Sequence, residues 1–228
     1  MSQDYNMSPI NPLPPVVWLL ALPILAMEIV LTLAQRGLMG GAEGIGWRLD
    51  AVQRFAFSPE LMRGMIEAST YPAEQVMRLV TYPFVHGGMT HAIFVIVFLL
   101  ALGKMVGEIF RWWAVLVVFF GSAIAAALAY TVLPFIQLPL IGGYPAVYGL
   151  IGAYSYILWM QLAGVGANRY AAFRLIGALM AIQLIFGAVF GANWNWLGEL
   201  AGFFAGFFLS FLVSPGGWAR LRARLRER

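Results

Sequence analysis

Three carboxylates, Glu28, Glu108 and Glu199, stand inside or at the ends of long apolar stretches. An ionised carboxylate at the centre of a bilayer costs roughly 2.5 kcal/mol or more, so such a group faces the protein interior, pairs, or takes up a proton. Arg111 follows Glu108 by three residues, which predicts a pair at the membrane interface. Glu28 has Pro23 five residues before it and reads as a protonated or hydrogen-bonded carboxyl between spans. The histidines are His86 and His91 only, and there is no cysteine. Thiolate nucleophiles, disulfides and Cys-based metal sites are thereby excluded, and histidine-rich metal sites are disfavoured. Ser122, Ser155 and Ser210 lie in apolar runs, where a small hydroxyl fills a helix–helix contact or bonds back to its own helix. No carboxylate pair spaced for acid–base work, no glycine-rich phosphate loop and no zincin motif occurs. No metal and no cofactor is expected.

The elements that hold these groups must live in lipid. Of 228 residues, 61% are apolar and 11% charged, against about 25% charged in an ordinary soluble domain. The mean hydropathy is +0.81. Six apolar stretches approach the ~20 residues a membrane helix needs, at 16–34, 91–107, 112–133, 146–165, 174–190 and 197–213. The first lacks the basic flank and small-residue cleavage site of a signal peptide. Between the first and second spans, residues 35–90 carry five acidic and five basic side chains. This segment reads as an ordered, partly embedded loop with short amphipathic helices. The chain is thus divided into an N-terminal tail (1–15), one six-span membrane domain (16–213) and a basic tail (214–228).

Nine of the fourteen Lys/Arg fall on one side: Lys104, Arg111, Arg169, Arg174 and five arginines from Arg220 to Arg228. The positive-inside rule makes that side the cytoplasm and puts both termini there. The pI of 9.6 then reflects topology and contact with anionic headgroups; nucleic acid is not expected as a partner. Gly198, Gly202 and Gly206 repeat at four-residue intervals, a stripe that lets helix backbones approach closely. Its expected partner is the fourth span, with a homodimer as the alternative. Trp194 and Trp196, with Asn193 and Asn195, read as interfacial anchoring before the sixth span.

Three segments together resemble the rhomboid family of intramembrane serine proteases. In "MRLVTYPFVHGGMTHAIF", Arg78, His86 and His91 match a loop arginine and paired histidines before the second span. "GGYPAVYGLIGA" at 142–153 is similar to the active-site segment G-x-S-G-x-x-Y-G, and "ELAGFFAGF" at 199–207 to the last-span pattern H-x-x-G-x-x-x-G. The resemblance implies an all-α bundle of six spans with a water-accessible site below the membrane surface. It also implies a serine nucleophile at the start of the fourth span and a histidine base in the sixth. An asparagine and a histidine of the second span would help to hold the oxyanion.

Residue by residue, that chemistry is missing. Gly142, Tyr148 and Gly149 match the motif, which places Tyr144 at the serine position and Pro145 at the following glycine. A neutral tyrosine with its pKa near ~10 offers little phenolate, and proline withholds an N–H. With Gly202 and Gly206 laid on the family's glycines, Glu199 takes the histidine position. His91 remains at the oxyanion site, whose asparagine is replaced by Val95. The favoured reading is a hydrogen bond from the Tyr144 hydroxyl to Glu199, closing the pocket; the alternative is a proton-titrating site. Arg78, His86 and His91 are expected to form a loop-to-helix network, with a binding role for His91 left open.

The function expected is that of a rhomboid-like, proteolytically inactive protein of a bacterial-type inner membrane. Its partners would be membrane lipids and the transmembrane segments of client proteins. The alternatives are an active intramembrane serine endopeptidase with an unusual site and a small proton-coupled transporter using Glu28 and Glu199. Against the transporter stands the lack of an inverted repeat or of matched broken spans.

Overall fold

A computed structural model describes residues 12–190 and 194–216. The arginine-rich 217–228 segment, Asn193 and residues 1–11 lie outside the described residues, so the expectations placed on the two tails and on Asn193 are not followed further. The described residues are all-helical around an isolated β-bridge, and six helices among them are long and apolar enough to cross a membrane. In order they are α1 (Pro15–Gln35), the loop helices α2 (Gly41–Gly44), α3 (Trp47–Phe55), α4 (Pro59–Glu67), α5 (Ala73–Val76) and α6 (Arg78–Thr81), then α7 (Met89–Gly107), α8 (Trp112–Val132), α9 (Tyr144–Gly164), α10 (Arg174–Phe190) and α11 (Asn195–Val213). Short 3-10 turns at Tyr82–Phe84 and Arg169–Phe173 precede α7 and α10.

Span ends differ from the hydropathy reading by at most two residues. The fourth and sixth helices both begin two residues earlier than their apolar runs, at Tyr144 and Asn195. Pro145 sits in the first turn of α9, where a missing N–H breaks no helical bond. Tyr144 and Pro145 therefore belong to the first turn of a helix and not to the loop before it.

α9 is the axis of the bundle and packs on α7, α8 and α11. Of its most apolar 18 residues 61% are buried, against 11% for the fifth span. Glycine makes the central contacts possible. A Cβ at Gly202 would lie 2.1 Å from the Pro145 carbonyl oxygen, and one at Gly206 would lie 2.0 Å from that of Gly149. From the other side, a Cβ at Gly152 would meet the Phe203 carbonyl oxygen at 2.1 Å. The stripe on α11 thus seats against α9 within the chain, while Gly198 faces Tyr130 of α8.

The loop after α1 is tied down by two arginines. Arg63 of α4 caps α8: its Nη1 donates to the carbonyls of Tyr130 (3.2 Å), Thr131 and Leu133, and its Nη2 to Ile136 (3.0 Å). These carbonyls include helix-end acceptors with no intrahelical partner. Arg48 of α3 grips Glu28 of α1 with both nitrogens, at 2.7 and 3.0 Å, and also donates to Thr32, Gln35 and the His86 carbonyl. Glu28 is therefore not merely a hydrogen-bonded carboxyl between spans; its partner is a charged side chain from the loop. The bridge between Phe57 and Leu140 (N···O 3.0 and 2.8 Å) and the buried Tyr82, donating to the Ala123 carbonyl at 2.9 Å, complete the attachment. Burial raises the Tyr82 phenol well above its usual range.

Candidate functional site

The chain enters α9 through a turn that only glycine can make. Gly142 has φ +85°, and its N–H donates to the Tyr82 carbonyl at 3.0 Å. A Cβ there would fall 2.5 Å from Cε1 of His91. Gly143 follows with its N–H directed at Nε2 of His86, 3.3 Å away, and a Cβ on it would meet Cγ1 of Val95 at 2.7 Å. Accepting that bond requires a bare Nε2. Burial, with His91 next to it, lowers the His86 pKa from 6.5 to about 4, so the imidazole is neutral.

The two histidines meet edge to face at 4.9 Å between ring centroids. His91 in turn stacks on Tyr144, at 5.0 Å with an interplanar angle of 16°. No hydrogen bond joins those stacked rings, and Nε2 of His91 is buried without a partner. Arg78 reaches the Ala56 carbonyl at 3.2 Å and so holds the loop, apart from the histidine pair. Arg78, His86 and His91 were expected in one network; the structure gives Arg78 to the loop and the histidines to the start of α9.

Two cavities flank this corner. The larger, about 480 Å³, is lined by His91, Tyr144, Pro145, Asn195 and Glu199, among others. The smaller, about 270 Å³, lies between Phe98 of α7 and Leu179, Ile182 and Gln183 of α10. Tyr144 and Glu199 line both. Tyr144 and Glu199, the two residues that the motif reading sets at dyad positions, thus face one space.

The predicted hydrogen bond between them is not what the structure holds. The Glu199 carboxyl accepts from Nε2 of Gln183 and from the Tyr148 hydroxyl, and Gln183 also donates to that hydroxyl at 3.2 Å. Tyr144 and Tyr148 are four residues apart on one face of α9; Gln183 of α10 reaches the Tyr148 hydroxyl and Glu199, while the Tyr144 ring stacks on His91. Gln183 escaped the sequence reading although a signal existed, because it is the one polar residue in the apolar run 175–190.

Besides the Tyr144 phenol the larger cavity is lined by one further hydroxyl, that of Thr90, and by none of the serines of the spans. Ser210 bonds back to the Gly206 carbonyl at 2.7 Å, Ser122 packs against Gly149, and Ser155 is buried without a partner; none of them lines either cavity. Among the described residues no three His, Asp or Glu converge as metal ligands.

Comparison with curated proteins finds no match. Comparison with family models matches the Rhomboid domain over residues 73–216, well over half of the chain, from α5 to the end of α11. That match embraces the histidine pair, the glycine turn into α9 and the glycine stripe of α11, and the chain is a multi-pass membrane protein that belongs to the rhomboid family.

Proposed function

We propose that this protein is a proteolytically inactive rhomboid that binds the transmembrane segments of client proteins. The observation that carries the reading is the pairing of Tyr144 and Glu199 across one cavity, at the positions where the family's serine and histidine belong. A serine protease needs a hydroxyl within hydrogen-bond reach of a base. Here the cavity offers a phenol stacked face-on against His91, and a carboxyl already engaged by Gln183 and Tyr148. Oxyanion stabilisation is impaired as well. Val95 is fully buried and has no donor, and Pro145 has no N–H.

Binding is supported by what the missing chemistry leaves behind. The smaller cavity is walled by apolar side chains of α7 and α10, and the fifth span is the least buried of the six. A helix arriving from lipid would meet Phe98, Leu179 and Ile182 before it reached Glu199. The setting proposed is a bacterial-type inner membrane with both termini in the cytoplasm, the orientation that the basic residues call for.

One experiment tests both halves. The purified protein is treated with a serine-directed fluorophosphonate, and in parallel is photo-crosslinked to a single-span peptide through a probe at Leu179. No labelling together with specific crosslinking is expected. Labelling of any serine would return the protein to the proteases, and absence of crosslinking would remove client binding.

A further inference from the structure

Outside the Tyr144–Glu199 corner, a pocket of about 180 Å³ opens in the loop after α1, lined by Arg54, Phe55, Glu74, Met77, Arg78 and Thr81. It is built from the end of α3 and from α5 and α6. Two guanidinium groups border it and have few protein partners. Arg78 donates Nη1 to the Ala56 carbonyl at 3.2 Å, but its Nε is buried with no acceptor. Arg54 is exposed, and its contact is with the Phe55 ring, 5.7 Å from the centroid. Glu74 does not neutralise them: among the described residues it makes no ion pair with either arginine. A permanently charged donor left buried and unsatisfied is costly, and native structures seldom carry one without a ligand or solvent to complete it.

The chemistry that fits is a phosphate. Planar guanidinium forks match phosphate oxygens, and hydrogen bonds between them are charge-assisted and short. At about 30 Å³ per water the pocket has room for roughly six waters, enough for one phosphate-sized group. Its surroundings point to where that group comes from. Tyr71, Val76, Met77 and Val80 beside the pocket are exposed, a run of apolar side chains on short helices at the end of the bundle where α1 leaves and α7 begins. In a membrane protein such a surface lies at headgroup depth, with acyl chains below it.

We propose that Arg54 and Arg78 form a phosphate-ester site filled by the headgroup of a membrane phospholipid, with the exposed side chains of α5 and α6 against its acyl chains. Glu74 then faces the headgroup's own donors. The site fixes the depth of the loop in the bilayer interface, and it does not depend on whether the cavity at Glu199 binds clients.

The test uses the full chain, stripped of lipid in detergent. Dioleoyl phosphatidylglycerol, the matching dioleoylglycerol, glycerol 3-phosphate and inorganic phosphate are added separately. Retention is read by native mass spectrometry and thermal stability by the shift in Tm. One phospholipid should be retained per chain, with dioleoylglycerol retained at least tenfold less. Arg54→Ala should reduce retention about tenfold, and Arg54→Lys should give an intermediate value because it keeps the charge and loses the fork. Arg54 makes no structural hydrogen bond among the described residues, so both variants should fold with the unliganded Tm of the parent. Glycerol 3-phosphate or inorganic phosphate raising Tm as far as the lipid does would assign the site to a soluble phosphate and overturn the lipid source. Equal retention by Arg54→Ala and the parent, or of dioleoylglycerol and phospholipid, would overturn the site itself.

Discussion

Arg48 and Glu28, twenty residues apart, form a two-point ion pair that is almost sealed from solvent: the Glu28 side chain is 2% exposed and that of Arg48 12%. The same guanidinium donates to the carbonyl of His86 at 2.9 Å. One side chain thus connects the first span to the residue whose imidazole receives the N–H of Gly143. Removing one partner of such a pair leaves an uncompensated buried charge. Arg48→Met is expected to destabilise the protein by about 3–5 kcal/mol, and the double variant Arg48→Met/Glu28→Leu by clearly less. Thermal unfolding in detergent of the two variants and the parent checks this; equal losses would show that the ion pair is not the source.

His86 gives the protein a pH dependence of known sign. Its folded pKa is depressed to about 4 from an unfolded value of 6.5. The unfolded chain therefore binds the proton first, and stability drains as pH falls from 6.5 to 4, by about 3 kcal/mol in order of magnitude for this group. Above 6.5 the contribution is complete and flat. Comparing Tm between pH 4 and 7.5 for the parent and His86→Gln isolates it, since the variant should lose the part of the slope that this imidazole supplies.

The glycine stripe predicts a steep position dependence. Gly206→Ala puts a methyl where the Gly149 carbonyl oxygen stands 2.0 Å away, and backbone cannot yield as a side chain can. The helices must separate, at a cost of about 1–3 kcal/mol or more. Gly64→Ala and Gly177→Ala meet nothing within 4 Å, and each should be neutral or stabilising by up to about 1 kcal/mol. Melting temperatures of the three variants suffice.

Gln183, Glu199 and Tyr148 act as one unit. A double-mutant cycle of Gln183→Leu and Glu199→Leu should return a coupling of about 0.6–2 kcal/mol, in the range found for side-chain hydrogen bonds between membrane helices. Tyr144→Phe should couple to Glu199→Leu negligibly, because the Tyr144 hydroxyl is not in that network. Coupling of Tyr144 as strong as that of Gln183 would reinstate the direct bond between Tyr144 and Glu199.

Restoring the family's residues is the strictest trial of the proposed inactivity. Tyr144→Ser with Glu199→His should cleave a membrane-anchored substrate little or not at all. Pro145 and Val95 still deny the oxyanion its donors, and one such donor is worth roughly 10²–10³ in rate. Adding Pro145→Gly and Val95→Asn should yield weak cleavage on gels and fluorophosphonate labelling of the new serine. No labelling of a folded quadruple variant would mean that these positions do not correspond to the family's.

The features legible in the sequence are those that repeat. Six spans announce themselves by length and apolarity, and the stripe of Gly198, Gly202 and Gly206 by its period. The turn Gly142–Gly143 and the histidines it packs against could be found by motif. The partners could not. Arg48 sits in a loop of balanced charge, and nothing local distinguishes it from Arg54 or Arg36 as the one that reaches Glu28. Gln183 is conspicuous in its span, yet which of Tyr144 and Tyr148 joins it depends on contacts between different spans: Gln183 of α10 reaches the Tyr148 hydroxyl, and the Tyr144 ring stacks on His91 of α7.

The seating of α11 on α9 has a consequence for how the protein is made. α9 enters the membrane before α11 does, so the carbonyls of Pro145 and Gly149 first face lipid or some other helix. Their intended neighbour is the last of the six spans to be synthesised. Until it arrives, the narrow groove along α9 is open to any helix with small residues, including that of a nascent neighbour. Assembly of the interior thus waits for the sixth span, and errors in it should concentrate in the interval between insertion of the fourth span and of the sixth.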